Sequence, residues 1–148
     1  MKEVYTSKFV EDTYDQAQSL MVSRWFNAIE LTNEIYRTEM IKHVEAVERC
    51  RPRYMLINTA DFVNFAISPE VQEWASIEIF PRLMKAGIQK MAFVVSPDII
   101  TQMAIEQQED QTRDIQQTDL AETLRSFGNE AEAITWLRVR LPAKALKV

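Results

Sequence analysis

Two apolar runs, Tyr54–Ile57 and Met91–Val95, constrain this chain more than any other feature, because each is continuous rather than alternating. A strand that is apolar on both sides must be covered on both faces, and such strands belong to the parallel part of α/β sheets. Parallel neighbours need a crossover, and the sequence between the runs supplies one. Ser68, Pro69 and Glu70 give a capping hydroxyl, a proline for the first helical turn and an acid favoured by the helix dipole. The same signal returns as Ser96, Pro97 and Asp98, predicting a second helix to about Gln108. Strand, helix, strand, helix is a βαβ pattern with a right-handed crossover, and Gly87 marks the turn before its second strand.

The flanks fit an α/β domain. Val4–Val10 and Leu20–Phe26 are rich in β-branched and aromatic residues and predict an antiparallel hairpin, with Glu11–Gln18 as its polar turn. A helix follows over Asn33–Cys50, capped by Thr32 and ended by Pro52. Helical spacing puts Tyr36, Met40, His43, Val44, Val47 and Cys50 on one face of it. Leu124–Phe127 reads as a short last strand. Asn129 with Glu132 resembles a capping box and opens a last helix through Trp136 and Leu137. The expectation is one domain over 1–148 with a mixed sheet of about five strands: an N-terminal antiparallel hairpin, then alternating helices and parallel strands.

The helix opened by Ser68 carries two apolar stripes, Val71–Ala75–Ile79 and Trp74–Ile77–Met84, where a helix lying on a sheet needs only one. The second stripe is a candidate partner-subunit interface; the plainer alternative is cover by the loop after Thr59 or by the last helix. Pro81 predicts a kink or break within the same helix. Glu106–Glu122 holds six acids and one base, Arg113, and reads as a helix end followed by a long surface loop, or as a loosely packed helix.

Composition removes most catalytic templates. Two glycines, Gly87 and Gly128, cannot build a glycine-rich phosphate cradle. One histidine and one cysteine exclude the usual His/Cys zinc sites and an internal disulfide, so neither a metal nor a tightly bound cofactor is expected. The net charge of −5 disfavours generic nucleic-acid binding. Residues 138–148 are the exception, a basic tail with Arg138, Arg140, Lys144 and Lys147 and no acid. Met1–Val10 lacks the apolar core of a signal peptide, and no apolar run approaches membrane-spanning length. A cytoplasmic location without stable membrane association is the expectation.

A hairpin followed by alternating helices and strands, closing on a short strand and a helix, resembles the STAS-like (SpoIIAA-like) fold of bacterial anti-sigma-factor antagonists. The strand Tyr54–Thr59, the segment Ile67–Trp74, the strand Lys90–Ser96 after Gly87, and the ending Ser126–Leu137 look like a small STAS/SEC14-like bacterial branch of uncharacterised function. The resemblance covers residues 4–137. It implies an interaction or regulatory domain, and its SEC14-like flavour implies a small apolar ligand. The antagonists carry a phosphorylatable Ser or Thr at a helix N-terminus in an Asp-Ser-Ser/Thr-Gly pattern. Here the matching stretch is Ala66-Ile67-Ser68-Pro69-Glu70, with neither the acid nor the glycine, so Ser68 is a possible phosphosite with an ordinary cap as its simpler role.

Ligands of open α/β sheets bind beyond the carboxyl ends of strands, which makes Asn58, Thr59, Asp61, Ser68 and Ser96 the candidate ligand or partner loop. The alternative is that they cap turns. His43 and Cys50 read as packed residues of an apolar helix face, too far apart for a nucleophile and its base. Asp61 and Asp98 make a weak carboxylate pair, and the scattered methionines are core filler. The leading expectation is a non-enzymatic module that binds a protein partner or forms a homodimer through Trp74, Ile77 and Met84. The first alternative is a carrier or sensor of a small apolar ligand, with Glu106–Glu122 as the lid of its pocket.

Overall fold

The computed structural model describes residues 1–116 and 122–147, with residues 139–147 described by their backbone alone. Its centre is a mixed six-stranded sheet in the order β1-β2-β3-β4-β5-β6: Lys2–Thr6, Val10–Asp15, Leu20–Trp25, Tyr54–Asn58, Lys90–Val94 and Leu124–Phe127. The first three strands are antiparallel neighbours, and β3 through β6 run parallel. Helix α1 spans Asn33–Cys50; α2 (Pro69–Trp74), a π-helical turn (Ala75–Ile79) and α3 (Phe80–Lys85) form one continuous rod; α4 spans Ile99–Gln116 and α5 Glu130–Lys147. The basic segment 138–148 is thus the backbone continuation of α5 as far as Lys147, not a separate tail. Among the described residues no helix is long and apolar enough to cross a membrane.

The α/β class and mixed sheet are as expected; the strand count is not. Glu11–Asp15 is strand, not turn, and the chain breaks its pairing at Ser7 to Phe9, where the Ser7 hydroxyl accepts from the amides of Phe9 and Val10. The segment Val10-Glu11-Asp12-Thr13-Tyr14 alternates inward and outward with period two. It escapes a polarity-based reading because its central inward residue is an acid. The acidic segment also differs from the expected loop. The last helix of the βαβ unit runs on from Gln108 to Gln116, and residues 117–121 of that segment lie outside the described residues.

Three sequential steps in one direction across the sheet, β3 to β4 to β5 to β6, with crossovers of one hand, place α1, the α2–α3 rod and α4 on one face. Helix α5 follows the last strand and takes the opposite face. There Ala133 and Leu137 pack on Leu20, Val22, Tyr54 and Leu56. At the strand ends, Arg24 donates two hydrogen bonds to Glu130, at 2.8 and 2.9 Å, and Asn58 donates a third at 2.8 Å. Lys90 is buried, donates to the Trp136 carbonyl at 2.9 Å and lies 4.3 Å from that ring. Gly87 turns the chain into β5 with φ +109°, a conformation open to glycine and strained for other residues.

Pro81 does not break its helix. Its missing N–H would leave a gap in an α-helical ladder, and the chain answers with a π turn just upstream, where the Phe80 amide reaches back to the Ala75 carbonyl.

Candidate functional site

The three-helix face is not solidly filled. Beneath it lies a cavity of about 140 Å³ whose walls come from every element on that side. Six aromatic residues line it: Trp25 on β3, Tyr36 on α1, Phe62 and Phe65 in the β4–α2 loop, Phe80 opening α3, and Phe93 on β5. Met55, Met91 and Leu124 form its floor on the sheet. The aromatic wall is continuous, with ring centroids 5.8 Å apart for Trp25–Phe62, 4.6 Å for Phe62–Phe65 and 5.5 Å for Tyr36–Phe65.

The void has a cause in the covering helix. Helix α4 is eighteen residues long, yet its only fully buried residues are Thr101 and Thr112, while Ile99, Ile100 and Met103 face solvent. Ala104 and Ile105 pack on the cluster of Trp25, Tyr36, Phe62 and Phe65, and the rest of its seat is polar. Asp98 accepts from the Thr101 amide and hydroxyl and from the Asn64 amide, which ties the start of α4 to the β4–α2 loop. Those bonds, the Thr101 hydroxyl first, hold the Asp98 carboxyl below the usual carboxylate range. Farther along, Gln108 Nε2 donates to the Gln72 carbonyl at 2.8 Å and to the Ser76 hydroxyl at 2.7 Å, Thr112 and Ser76 share a 2.8 Å bond, and Gln116 donates to the Ser76 carbonyl at 3.2 Å. Gln72 near the end of α2 and Ser76 in the π turn present these groups, so α4 is latched to the rod side chain by side chain.

Polar groups enter the cavity at three points. From α1 comes His43, 2 % exposed, whose Nδ1 is 2.8 Å from Asp12 Oδ2 on β2. Its Nε2 has no hydrogen-bond partner among the described residues. Trp25 meets the imidazole edge-on at 6.0 Å. From α4 come Gln108, Glu109 and Thr112, and the Oε1 atoms of the first two are buried without a partner. Burial pushes the Glu109 carboxyl up to about 7, with Glu106 and Asp110 adding to the shift and Arg113 opposing it. Thr59 is the third point, and its hydroxyl is spent on the Val94 carbonyl at 2.6 Å. Among the described residues no Lys or Arg lines the cavity.

No family model, curated protein or solved structure matches this chain.

Of the candidate loop residues only Thr59 reaches the cavity. Asn58 serves Glu130 on the opposite face and caps the turn at Ala60; Asp61 is exposed; the buried Ser96 hydroxyl donates to the Phe62 carbonyl at 2.8 Å. Ser68 accepts from the Val71 amide as the cap of α2. Asp98 is engaged in capping and makes no pair with Asp61. In the candidate interface Trp74 is half-buried, packs on the core and carries the Arg37 guanidinium 5.0 Å over its ring; Met84 is partly buried and Ile77 is 46 % exposed. The neighbours of this rod are α1, whose Arg37 covers Trp74, and α4, not α5, which lies across the sheet. Among the described residues no group of His, Cys, Asp or Glu is arranged to hold a metal ion. Cys50 is a half-buried thiol raised by desolvation.

Sequence reasoning missed Asp12, Gln108 and Glu109. Two signals carry them: the period-two alternation around Asp12, and the helical spacing Thr101, Ile105, Gln108, Thr112, which puts a mostly polar stripe on one side of α4.

Proposed function

We propose that this protein binds a small apolar molecule in the cavity under α4, as a carrier or sensor of that molecule. The observation that carries the reading is an aromatic-walled cavity of about 140 Å³ whose lining includes a few polar residues, His43, Thr59, Gln108, Glu109 and Thr112. An apolar pocket with a small number of convergent polar groups is the usual form of a small-molecule site. A structural void of this size is costly, because every wall atom forgoes its packing partner. The cover also suits the role. A helix held by hydrogen bonds to a π turn can exchange them for water on opening, whereas an apolar seam cannot. The STAS-like reading, with its SEC14-like flavour, remains part of this proposal, and the β-hairpin followed by alternating helices and parallel strands supports it.

The experiment is native mass spectrometry of the protein purified from its own host. A mass above that of the chain, lost on denaturation, is the expected result. A bare chain mass, together with no melting-temperature gain from any small aromatic or aliphatic compound, overturns the reading.

Exposed Ile77, with Ile99, Ile100 and Met103 on the outer side of α4, favours a second reading, a module that binds a protein partner or its own copy. Trp74→Glu disrupts a dimer seen by size-exclusion chromatography if that reading holds, and leaves the elution volume unchanged if it does not.

A further inference from the structure

Resting on the ligand-binding reading, we infer that the cavity takes an uncharged aromatic hydrocarbon of a single ring, the size of toluene, and excludes both lipid chains and ions. The size, the walls and the charge of the enclosure all lead to this class.

Size and closure come first. An apolar cavity of roughly 150 Å³ takes up benzene, so one ring with a methyl group matches about 140 Å³. No residue of the lining is exposed, and Met55, Met91, Trp25, Phe62 and Phe65 are all fully buried. An extended chain exceeds that volume, and the walls offer it no exposed groove to run out along.

The walls come second. Six aromatic side chains and three methionines, Met40, Met55 and Met91, line the cavity. Rings favour the edge or the offset face of another ring, and thioether sulfur favours a ring's edge. Both kinds of wall therefore reward an aromatic occupant beyond the burial that any hydrocarbon gains. The wall rings already hold this geometry among themselves. Trp25 meets Phe62 edge-on at 65° with centroids 5.8 Å apart, and Phe62 and Phe65 lie tilted at 4.6 Å. One more ring extends a cluster that is already built.

Charge comes third. Among the described residues no Lys or Arg lines the cavity, and His43, the one lining side chain able to carry positive charge, already lies 2.8 Å from the Asp12 carboxylate. A carboxylate or phosphate ligand is left without a counter-charge and would share the site with Glu109. A cation meets aromatic faces, but in an enclosed apolar site it sheds its whole water shell, and contact with ring faces offsets only part of that loss.

The test is a protein-detected NMR titration of the full chain with five probes: toluene, methylcyclohexane, decan-1-ol, benzoate and tetramethylammonium. Toluene is expected to bind saturably and to shift the resonances of Met55, Met91 and Phe62. Its affinity is expected to exceed that of methylcyclohexane by at least about twofold, the low end of what one ring contact adds, and that of the two ions by at least about tenfold, with decan-1-ol also weaker than toluene. Ala75→Leu, which fills part of the cavity, is expected to abolish the toluene shifts; the ranking of the five probes on the unaltered chain decides the matter even if that variant fails to fold. Equal or tighter binding of methylcyclohexane overturns the aromatic class, tightest binding of decan-1-ol overturns the single ring, and either leaves the apolar-ligand reading standing. Tightest binding of benzoate or tetramethylammonium overturns the uncharged class and the apolar-ligand reading together. If none of the five shifts the resonances of cavity residues in a folded protein, the ligand-binding reading falls as well.

Discussion

The two faces of one sheet solve the same problem in opposite ways. Under α5, Ala133 and Leu137 are set against Leu20, Val22 and Leu56, the polar groups Arg24, Glu130 and Asn58 are paired among themselves, and the gap beside the helix, bounded by Ser19, Leu20, Arg53, Tyr54, Ile134 and Arg138, is as polar as it is apolar. Under α1, the α2–α3 rod and α4, three helices leave an aromatic-walled gap, and on that face three polar side chains, Asp12, Gln108 and Glu109, keep a buried oxygen unpaired. The two faces therefore differ in the character of their gaps, apolar and aromatic under three helices and mixed under one. The apolar gap lies beside α4, which gives Ile105 to its wall, meets the rod through Gln108, Thr112 and Gln116, and turns Ile99, Ile100 and Met103 to water. A gap with polar walls can be filled by water, whereas an apolar gap leaves its wall atoms without partners.

The sharpest way to break this contrast is Asp12→Ala. It removes the partner of a buried His43, and loss of one member of a buried pair costs about 4 kcal/mol, read by chemical denaturation. A loss below about 1 kcal/mol would show that the pair contributes nothing to holding the cavity wall.

Glu109 gives the next effect, and its sign is opposite. Its folded-state value of about 7 lies above the ordinary 4.5, so the folded protein holds that proton more tightly than the unfolded chain. This contribution is complete below about pH 4.5 and is lost as pH rises to about 7, by up to about 3 kcal/mol. Glu109→Gln should melt with the wild type at pH 4.5 and above it at pH 8. Parallel wild-type and variant curves across that window would remove the buried carboxyl from the account. The charges that bear on it are Arg113, Glu106 and Asp110 on its own helix, with His43 of α1 lining the same cavity.

A matched pair of overpacking substitutions compares the faces directly. Ala92→Leu, on the fully buried strand surface beneath α5, should cost about 2 kcal/mol. Ala75→Leu, which points its extra atoms at the void, should cost less than about 1 kcal/mol and abolish ligand binding. Equal costs would mean that the void is not available to side chains. The smallest effect belongs to Ser68→Ala, about 1 kcal/mol for a lost helix cap, measured by thermal melting. If Ser68→Glu also changes partner or ligand binding where Ser68→Ala does not, the phosphoswitch of the antagonists regains support.

The strands β4 and β5, the three caps Thr32, Ser68 and Asn129, and the helix face through His43 and Val47 were all legible in the sequence, because each follows from local rules: an apolar run, a side-chain oxygen three residues before an amide, a 3.6-residue period. The candidate site was not. Asp12 looks like a turn residue until β3 puts it opposite Ser23 and α1 lowers His43 onto it, and an isolated acid in a sequence gives no hint of a partner thirty-one positions away. Gln108 and Glu109 read as solvated helix residues until the π turn at Ser76 draws α4 down over the sheet. Local chemistry thus determined which segments are helix and strand and where they begin. Only the packing of α4 against the rod decided that a gap would remain, because the filling of space depends on all the surfaces that meet in it and on none of them alone.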